Sequence, residues 1–307
     1  MKRIGIIDLG SNTIRLVIFD VDKSPGKRLR PGQFREILNE KTVAGLSAYV
    51  EDGAFTDAGV ERAVDVLRDH EKSARNVGCR EIRVFATAVL RNCSNSAKVT
   101  AEVERQTGMP IDLISGEEEA HLGFVGASIK MKMERGVLID IGGGSTELTH
   151  ISDGHDIANM SLAQGSVSSY AGFVSLVLPS HKERQRIRES IDRRIDECGA
   201  IAEMHEKRMY GIGGSIRAVA KMLGRMTGSD RATRQISRED IATMRELLED
   251  DPSRFAHLAV KAAPDRLHSM VPGCIIMDAV MDAVGAKGLQ VCKYGVREGY
   301  LVEHVLA

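Results

Sequence analysis

Residues 135–151 read RGVLIDIGGGSTELTHI, in which two apolar runs flank a polar turn with three consecutive glycines. Two β-branched runs around such a turn are typical of a β-hairpin. Three glycines weaken a strand-rich segment unless close approach of the backbone to a ligand compensates for them. The stretch therefore predicts a hairpin whose turn, Gly142 to Gly144, contacts a ligand.

The N-terminal residues 4–21, IGIIDLGSNTIRLVIFDV, repeat this pattern of strand, glycine-containing turn and strand. Self-similarity at a fixed spacing indicates a duplicated unit. Four positions match at an offset of 132 residues, namely Asp8 with Asp140, Gly10 with Gly142, Thr13 with Ser145 and Leu16 with Leu148. We therefore expect two related domains.

The remaining segments alternate between helical and strand patterns, which predicts an α/β fold. Helices are predicted at 57–76, 97–107, 116–127, 181–205, 237–257 and 273–285, and strands at 82–86 and 111–114 and in the strand and turn at 209–215. The residues from Ser24 to Pro31 are expected to form a solvated loop. We place the two domains at 1–127 and 128–307, with the closing helix at 298–307 able to pack back onto the first.

The composition is that of an ordinary globular protein, and its 307 residues fit two domains. The 42 basic and 43 acidic residues leave a net charge of −1, which creates no global field for nucleic acid or anionic lipid. The five cysteines form no C-x-x-C pair. No apolar run approaches the roughly 18 residues that span a bilayer. We expect a cytoplasmic protein without nucleic-acid or membrane partners, which binds an anionic substrate locally.

The two hairpin turns offer different chemistry. The first, Asp8 to Thr13, combines a carboxylate with small residues whose amides can approach an oxyanion, although an ordinary turn with an Asx-type hydrogen bond explains it equally well. The second places Asp140 and Glu147 seven residues apart. This spacing lets two hard oxygen ligands converge on a magnesium ion that keeps several waters. The alternative is that Glu147 faces solvent on a strand.

Two further elements are candidates for phosphate binding. The turn Gly211 to Ser215, G-I-G-G-S, follows an apolar strand and opens a helix, so its amides offer an anion site, but it also fits a plain strand-to-helix turn. Arg91 follows the strand at 82–86, where a guanidinium can bind phosphate oxygens in pairs. A surface helix arginine is the alternative.

Three consecutive glutamates, Glu117, Glu118 and Glu119, begin a predicted helix. Acidic residues in a first turn ordinarily complement the helix dipole. One of the three carboxylates can instead turn inward and deprotonate a water molecule. Spacing alone does not choose among them.

Six motifs in sequence order resemble those of the exopolyphosphatase and guanosine pentaphosphate phosphohydrolase (Ppx/GppA) family, within the actin-like, sugar kinase and Hsp70 superfamily. They are D-L-G-S-N-T at 8–13, A-T-x-x-x-R-x-x-x-N at 86–95, S-G-E-E-E-A at 115–120, D-I-G-G-G-S-T-E at 140–147, G-I-G-G-S at 211–215 and G-V-R-E-G at 295–299. The resemblance spans the whole chain. It implies two duplicated actin-like ATPase (ribonuclease H-like) domains that close on a cleft, each with a mixed five-stranded sheet and flanking helices.

The resemblance also implies roles for single residues. The family's catalytic glutamate immediately precedes an alanine, which corresponds to Glu119, and the arginine after the A-T strand, which faces the substrate phosphates, corresponds to Arg91. Magnesium is expected at Asp140 and Glu147, with Asp8 as a further ligand. The phosphate-binding set comprises Gly10, Ser11, Asn12, Thr13, Arg15, Arg91, Gly142, Gly143, Gly144, Ser145, Thr146, Gly213, Gly214 and Ser215.

Two features depart from the family pattern. Long members add helical domains after the second actin-like domain, whereas this sequence ends at the closing helix, so substrate and dimer features tied to those domains are not carried over. The sequence does not decide whether the protein forms a homodimer. Many relatives have an aspartate where this chain has His268, so no acidic role is assigned there.

Together, the residues and the resemblance favour in-line attack of water on a terminal phosphoryl group, with Glu119 as general base and magnesium neutralising the leaving oxygens. We expect a magnesium-dependent exopolyphosphatase that releases orthophosphate from inorganic polyphosphate. The alternatives are a guanosine pentaphosphate 5′-phosphohydrolase, a small-molecule kinase of the same superfamily, and a non-catalytic nucleotide-binding protein of the actin type. A non-catalytic protein would leave Glu119 without a role.

Overall fold

The computed structural model describes residues 1–22, 32–201 and 203–306. The chain divides into two compact units, unit 1 with Met1–Lys130 and Val296–Ala307 and unit 2 with Met131–Gly295. The first boundary lies three residues after the predicted one at 127. The second unit ends at Gly295 rather than at 307, because the C-terminal segment belongs to unit 1. The expected loop at 24–31 lies outside the described residues.

Unit 1 is built on a mixed five-stranded sheet with helices around it. Its strands are β1 (Lys2–Leu9), β2 (Thr13–Val21), β3 (Phe34–Val43), β4 (Val50–Glu51), β5 (Ala54–Phe55), β6 (Glu81–Ala86) and β7 (Ile111–Leu113), and its first helices are α1 (Asp57–Asn76), α2 (Ala88–Arg91), α3 (Ser96–Thr107) and α4 (Gly116–Ser128). The sheet order is β3–β2–β1–β6–β7, with β1, β2 and β3 antiparallel and β6 and β7 parallel to β1. The separate strands β4 and β5 form a short hairpin.

Unit 2 repeats the strand order of unit 1 and adds one strand. Its strands are β8 (Gly136–Ile141), β9 (Thr146–Ser152), β10 (His155–Leu162), β11 (Met209–Ile212), β12 (Gln235–Ser237) and β13 (Gly288–Val291), and its helices are α5 (Ser166–Phe173), α6 (His181–Cys198), α7 (Gly213–Met226), α8 (Arg238–Asp250), α9 (Pro252–Ala262) and α10 (Leu267–Val284). The order is β10–β9–β8–β11–β13–β12. The expectation of five strands is therefore wrong for this unit, because β12 pairs antiparallel with β13 at the edge.

Two helices in unit 2 differ from the sequence expectation because capping residues end them early. The helix expected at 181–205 ends at Cys198 and is followed by Gly199 at a positive φ of 60°. The helix expected at 237–257 is two helices, because the Asp251 side chain accepts from the amide of Arg254 and Pro252 opens α9.

The most apolar helix of the chain is α10, which begins at Leu267 rather than at the predicted residue 273. The segment Pro264–Val284 is long and apolar enough to cross a membrane, so the expectation that no apolar run approaches that length is wrong. Met277, Val280 and Met281 are fully buried in the main hydrophobic core of unit 2. In this structure α10 is thus the central core helix of its unit.

The C-terminal segment completes unit 1. Helix α11 (Val296–Tyr300) continues as a π-helical turn to Val305. Gly299 packs directly on the backbone of Leu122 in α4, where any Cβ would overlap the carbonyl. Tyr300 is fully buried, packs on Phe85 with ring centroids 4.8 Å apart and ring planes tilted by 31°, and donates its hydroxyl to the carboxylate of Asp112. Burial and this carboxylate raise the pKa of Tyr300 above its ordinary value, so the hydroxyl stays a donor.

Candidate active site

The β1–β2 turn in unit 1 is a tight, hydrogen-bonded loop. The amide of Gly10 donates to the carbonyl of Thr13 at 3.2 Å, and the carbonyls of Ser11 and Asn12 accept from amides of the segment that follows β3. Ser11 and Asn12 are buried, and the Asn12 Nδ2 has no hydrogen-bond partner in the described part of the chain. A buried amide without a partner is rare. The donor is therefore free for an oxygen-rich ligand.

Arg91 and Glu119 meet in the interior of unit 1. Arg91 ends α2, directly after β6, and its Nη1 donates to Glu119 Oε2 at 2.9 Å and to the carbonyl of Ile114 at 3.2 Å. Glu119 is only 8% exposed. The alternative of a surface arginine is wrong, because the guanidinium is held by a carboxylate and a carbonyl beside the start of α4.

The register of α4 distinguishes the three glutamates. The Ser115 side chain caps the helix by accepting from the amide of Glu118, which fixes all three in the first turn. Glu117 is exposed, and Glu118 is half-exposed and pairs with His304 Nε2 at 3.1 Å. Only Glu119 turns inward. The structure thus makes the choice that spacing left open.

Asp8, a predicted metal ligand, has an arginine beside it that sequence reasoning assigned no role. Arg297 Nη1 donates to Asp8 Oδ2 at 2.8 Å, with both side chains about one-fifth exposed. Arg15, on β2, lies opposite Asp8 in the strand register and donates to Asn39 Oδ1 at 3.2 Å on β3. Asp8 therefore has a cationic neighbour, and its contact with metal stays a prediction.

The triple-glycine turn of unit 2 has its carbonyls tied to α5. Ser166 donates to the Gly142 carbonyl through both its amide and its hydroxyl at 3.0 Å, and two amides of the first turn of α5 donate to the Gly143 carbonyl at 2.9 Å. In a trans peptide the next N–H points opposite to the carbonyl. The amides of Gly143 and Gly144 therefore point away from α5, which suits an anion. Gly142 and Ser145 repeat the hydrogen bond of Gly10 and Thr13.

Three residues of the predicted phosphate set are buried at this side of unit 2. Thr146 is fully buried and donates its hydroxyl to the Gln164 carbonyl at 2.7 Å, which leaves no surface for a phosphate contact. Ser145 and Ser215 are each 2% exposed. The Ser215 hydroxyl donates to Ser166 Oγ at 3.1 Å and so joins the third glycine turn to the second. These hydroxyls hold the loops in place, and the accessible elements are the glycines.

Asp140 and Glu147 are direct cross-strand partners on β8 and β9. Residues opposite each other on antiparallel strands have Cβ atoms about 4.5–5.5 Å apart. Glu147 is 1% exposed, and Ser161 donates to its Oε1 at 2.8 Å, so the alternative of a solvent-facing Glu147 is wrong. Gly213, at a φ of 83°, packs against the Asp140 carboxylate, where a Cβ would overlap Oδ1.

These carboxylates match the donor chemistry of magnesium. Both are hard oxygen donors, and magnesium is commonly bound by one or two carboxylates while it keeps several waters. No group of three or more His, Cys, Asp or Glu able to hold a metal occurs in the parts of the chain that the structure describes. Asp140 and Glu147 fit a site in which two carboxylates hold the ion and water completes its shell.

Arg266, which sequence reasoning also passed over, lies on the third glycine turn. Its guanidinium fills the position that a Cβ of Gly214 would take, and its Nη1 lies 3.5 Å from Ser215 Oγ. His268 follows in α10, packed edge-on to Tyr170 at 5.2 Å. Burial and the nearby Arg266 lower the pKa of His268, which favours the neutral imidazole. The sequence signal for Arg266 was its place in P-D-R before an apolar helix.

Comparison with known proteins identifies relatives along nearly the whole chain. The model of the Ppx/GppA phosphatase family matches residues 27–307. Exopolyphosphatase 1 of Mycobacterium leprae is 24% identical over 311 residues, which cover 98% of this chain and 88% of that protein.

Two solved structures share the fold. An exopolyphosphatase from Cytophaga hutchinsonii has a TM-score of 0.84 at 22% identity, covering 98% of this chain and 96% of its own. The PPX-GPPA enzyme of Aquifex aeolicus has a TM-score of 0.75 at 22% identity, covering 98% and 99%. The predicted fold class, two related α/β domains with mixed sheets and flanking helices, is confirmed.

Proposed function

The chain belongs to the Ppx/GppA phosphatase family and is a hydrolase acting on phosphoanhydride bonds, and from this premise we propose that it is a magnesium-dependent exopolyphosphatase. It releases terminal orthophosphate from inorganic polyphosphate. The observation that carries the proposal is the buried Glu119 held by Arg91 at 2.9 Å. The curated relative that matches 98% of the chain is named an exopolyphosphatase, which favours polyphosphate over guanosine pentaphosphate.

In this proposal Glu119 is the general base. An inward carboxylate in the first turn of a helix can accept a proton from a water molecule within hydrogen-bond reach. Arg91 fixes its orientation through Nη1, and a guanidinium is a strong partner for phosphate oxygens. No covalent intermediate is required, because phosphoryl transfer depends mainly on positioning and charge stabilisation.

The glycine turns of unit 2 bind phosphate oxygens through the backbone amides of Gly143 and Gly144, and Gly214 brings Arg266 close to the third turn. Asp140 and Glu147 hold magnesium, which when bound would neutralise charge on phosphate oxygens. Ser161 donates to Oε1 of Glu147, and the other oxygen, Oε2, lies on the side of Gly142 in the triple-glycine turn. Each backbone amide that donates to a phosphate oxygen in the transition state typically stabilises it by about 2.7–4 kcal/mol.

The proposal is tested by phosphate release from long-chain polyphosphate, tripolyphosphate and guanosine pentaphosphate, each with magnesium or with a chelator. We expect release from polyphosphate that requires magnesium and falls about 10²–10⁴-fold in the Glu119→Gln variant. The same variant serves as the control for contaminating phosphatases. Cleavage of guanosine pentaphosphate alone would establish the alternative phosphohydrolase. ATP turnover only with an added hydroxyl acceptor would establish the kinase.

We also propose a cytoplasmic location. All five cysteines are free thiols, and four of them are buried. Burial raises the pKa of Cys274 to about 12 and that of Cys292 to about 11, so these thiols stay protonated and unreactive. Reduced thiols in the core are typical of a reducing compartment.

A further inference from the structure

A pocket of about 230 Å³ lies within unit 2, lined by residues of α6, α8, α9 and α10. It contains none of the residues assigned above to phosphate or metal binding, and it stands independently of the proposed function. Its volume is slightly below the range of about 300–1,000 Å³ for pockets that hold drug-sized ligands. It is therefore suited to a smaller molecule.

The walls of the pocket are apolar. Met244, Leu248, Phe255 and Val271 line it and at the same time belong to the main hydrophobic core of the unit. Ile275, on α10, lines it as a partly exposed side chain. A hydrocarbon body bound here would contact the core directly, and its burial would contribute about 25 cal/mol for each Å² removed from water.

The charged residues of the pocket differ in whether they already have partners. Arg184 pairs with Glu249 at 2.8 Å, and Arg188 pairs with Asp282 at 2.7 Å. Arg245, on α8, has no hydrogen bond or ion pair with any residue that the structure describes. Among the three arginines of the lining, Arg245 is therefore the one whose guanidinium is offered to a ligand, and a guanidinium pairs best with a carboxylate or phosphate.

The acidic lining residue Asp278 does not cancel this preference. Arg188 lies 3.4 Å from it, and burial together with the neighbouring Asp282 raises the pKa of Asp278 above its ordinary value. A second carboxylate, Glu249, is already paired. The charges of Arg188 and Arg245 both act on Asp278, and the lining holds three arginines against two carboxylates.

We propose that this pocket binds a small amphipathic anion, a hydrocarbon body of about eight carbons whose single carboxylate or phosphate pairs with Arg245. The hydrocarbon contacts Met244, Leu248, Phe255 and Val271. Ile275 lies on the wall formed by α10.

The test uses four probes with the same octyl or octanoyl body: octanoate, octyl phosphate, octylamine and octanol. Binding to the full-length protein is measured by isothermal titration calorimetry, and the rise in melting temperature gives a second readout, because a ligand of the native state stabilises it by mass action. We expect octanoate or octyl phosphate to bind at least tenfold more tightly than octanol, and octylamine more weakly still. Preference for one anion tells a carboxylate ligand from a phosphate ligand.

Two variants locate the binding site. Arg245→Ala should weaken binding of the anions about tenfold or more and leave octanol unchanged, since a hydrogen bond to a charged group is lost. Ile275→Trp should fill the pocket and abolish binding of all probes. Arg193→Ala removes an exposed arginine of α6 that does not line the pocket, and should change nothing.

Tighter binding of octylamine than of octanoate would overturn the proposal, as would no heat with any probe. Equal loss of affinity in Arg193→Ala and Arg245→Ala would overturn it too, because the anions would then be attracted by the surface arginines in general and not by Arg245 in particular. If Ile275→Trp does not fold, the comparison of the two arginine variants still decides, because both residues are exposed and neither replacement disturbs the core.

Discussion

Glu119 Oε2 lies 2.9 Å from Arg91 Nη1, and this pair is the best-defined chemical feature of unit 1. Arg91 also donates to the carbonyl of Ile114, which holds the guanidinium beside the segment between β7 and α4. A buried carboxylate held in one orientation can accept a proton from a water molecule within hydrogen-bond reach.

We expect Glu119→Gln to lower turnover of polyphosphate by about 10²–10⁴-fold while the fold stays intact, because the amide keeps the shape and loses the basicity. Single-turnover phosphate release at saturating magnesium isolates the chemical step. Glu117→Gln and Glu118→Gln are the matched controls and should turn over nearly as wild type. The ion pair of Glu118 with His304 is partly exposed, so its loss should cost less than about 1 kcal/mol of stability. Loss of turnover in Glu118→Gln instead would place the base one residue earlier.

Arg91→Ala should reduce the salt dependence of polyphosphate binding, because a protein with a net charge of −1 attracts a polyanion only through local groups. Binding is measured at several salt concentrations in the Glu119→Gln background, so that substrate is not consumed. Arg80→Ala, an exposed arginine of the same unit, is the control and should keep the wild-type slope. An unchanged slope in Arg91→Ala would show that Arg91 does not contact the substrate.

Asp140→Ala and Glu147→Ala should both raise the magnesium concentration needed for half-maximal activity, since each removes one of two carboxylate ligands. High magnesium should partly restore the rate. Asp196→Ala, an exposed aspartate of α6, should leave the magnesium curve unchanged. If neither Asp140→Ala nor Glu147→Ala shifts that curve, the metal lies elsewhere.

Gly213→Ala should impair magnesium dependence much more than Gly285→Ala, although both glycines have a positive φ. A Cβ at Gly213 overlaps the Asp140 carboxylate, whereas nothing lies within 4 Å of a Cβ at Gly285. Backbone strain should destabilise both variants by about 1 kcal/mol. Chemical denaturation measures that common term, and magnesium titration measures the difference. Equal magnesium curves would argue against Asp140 as a metal ligand.

Asp8→Asn and Arg297→Met should be coupled in stability by about 0.5–3 kcal/mol, because the two side chains form a partly buried ion pair. A double-mutant cycle in urea measures the coupling. The same variants test Asp8 as a metal ligand: a ligand requires Asp8→Asn to shift the magnesium curve even when Arg297 is already replaced. Additive stabilities would show that the pair contributes nothing.

Much of the fold was predictable from the sequence, because capping residues and apolar spacing indicate the same helix or strand. Helix α1 has the predicted bounds, since Thr56 caps it by accepting from Gly59 and its apolar residues recur at helical spacing. The break between α8 and α9 also had a capping signal, Asp251 followed by Pro252. The prediction of one helix missed it because helical periodicity continues on both sides. The inward direction of Glu119 needed either the resemblance or the structure, because three adjacent glutamates share one local pattern.

The contact between Asp8 and Arg297 could not be predicted by spacing, because 289 residues separate them. Thr146 shows the opposite limitation. It belongs to a phosphate-loop motif, yet strand alternation and the Gln164 carbonyl take its hydroxyl into the core. A motif indicates which residues lie near a site, and only packing tells which of them hold the loop and which face the ligand.

The discontinuous makeup of unit 1 sets an order of events during synthesis on the ribosome. Unit 2 is one continuous segment, so all of its residues have been translated before Val296 appears. Unit 1 must wait for that last segment, because Gly299 covers α4 and Tyr300 fills the space beside Phe85. Domains generally form as the chain emerges, N-terminal first. Here the domain that starts first is the one completed last, and until then a nascent chain exposes the apolar surface that Tyr300 later covers.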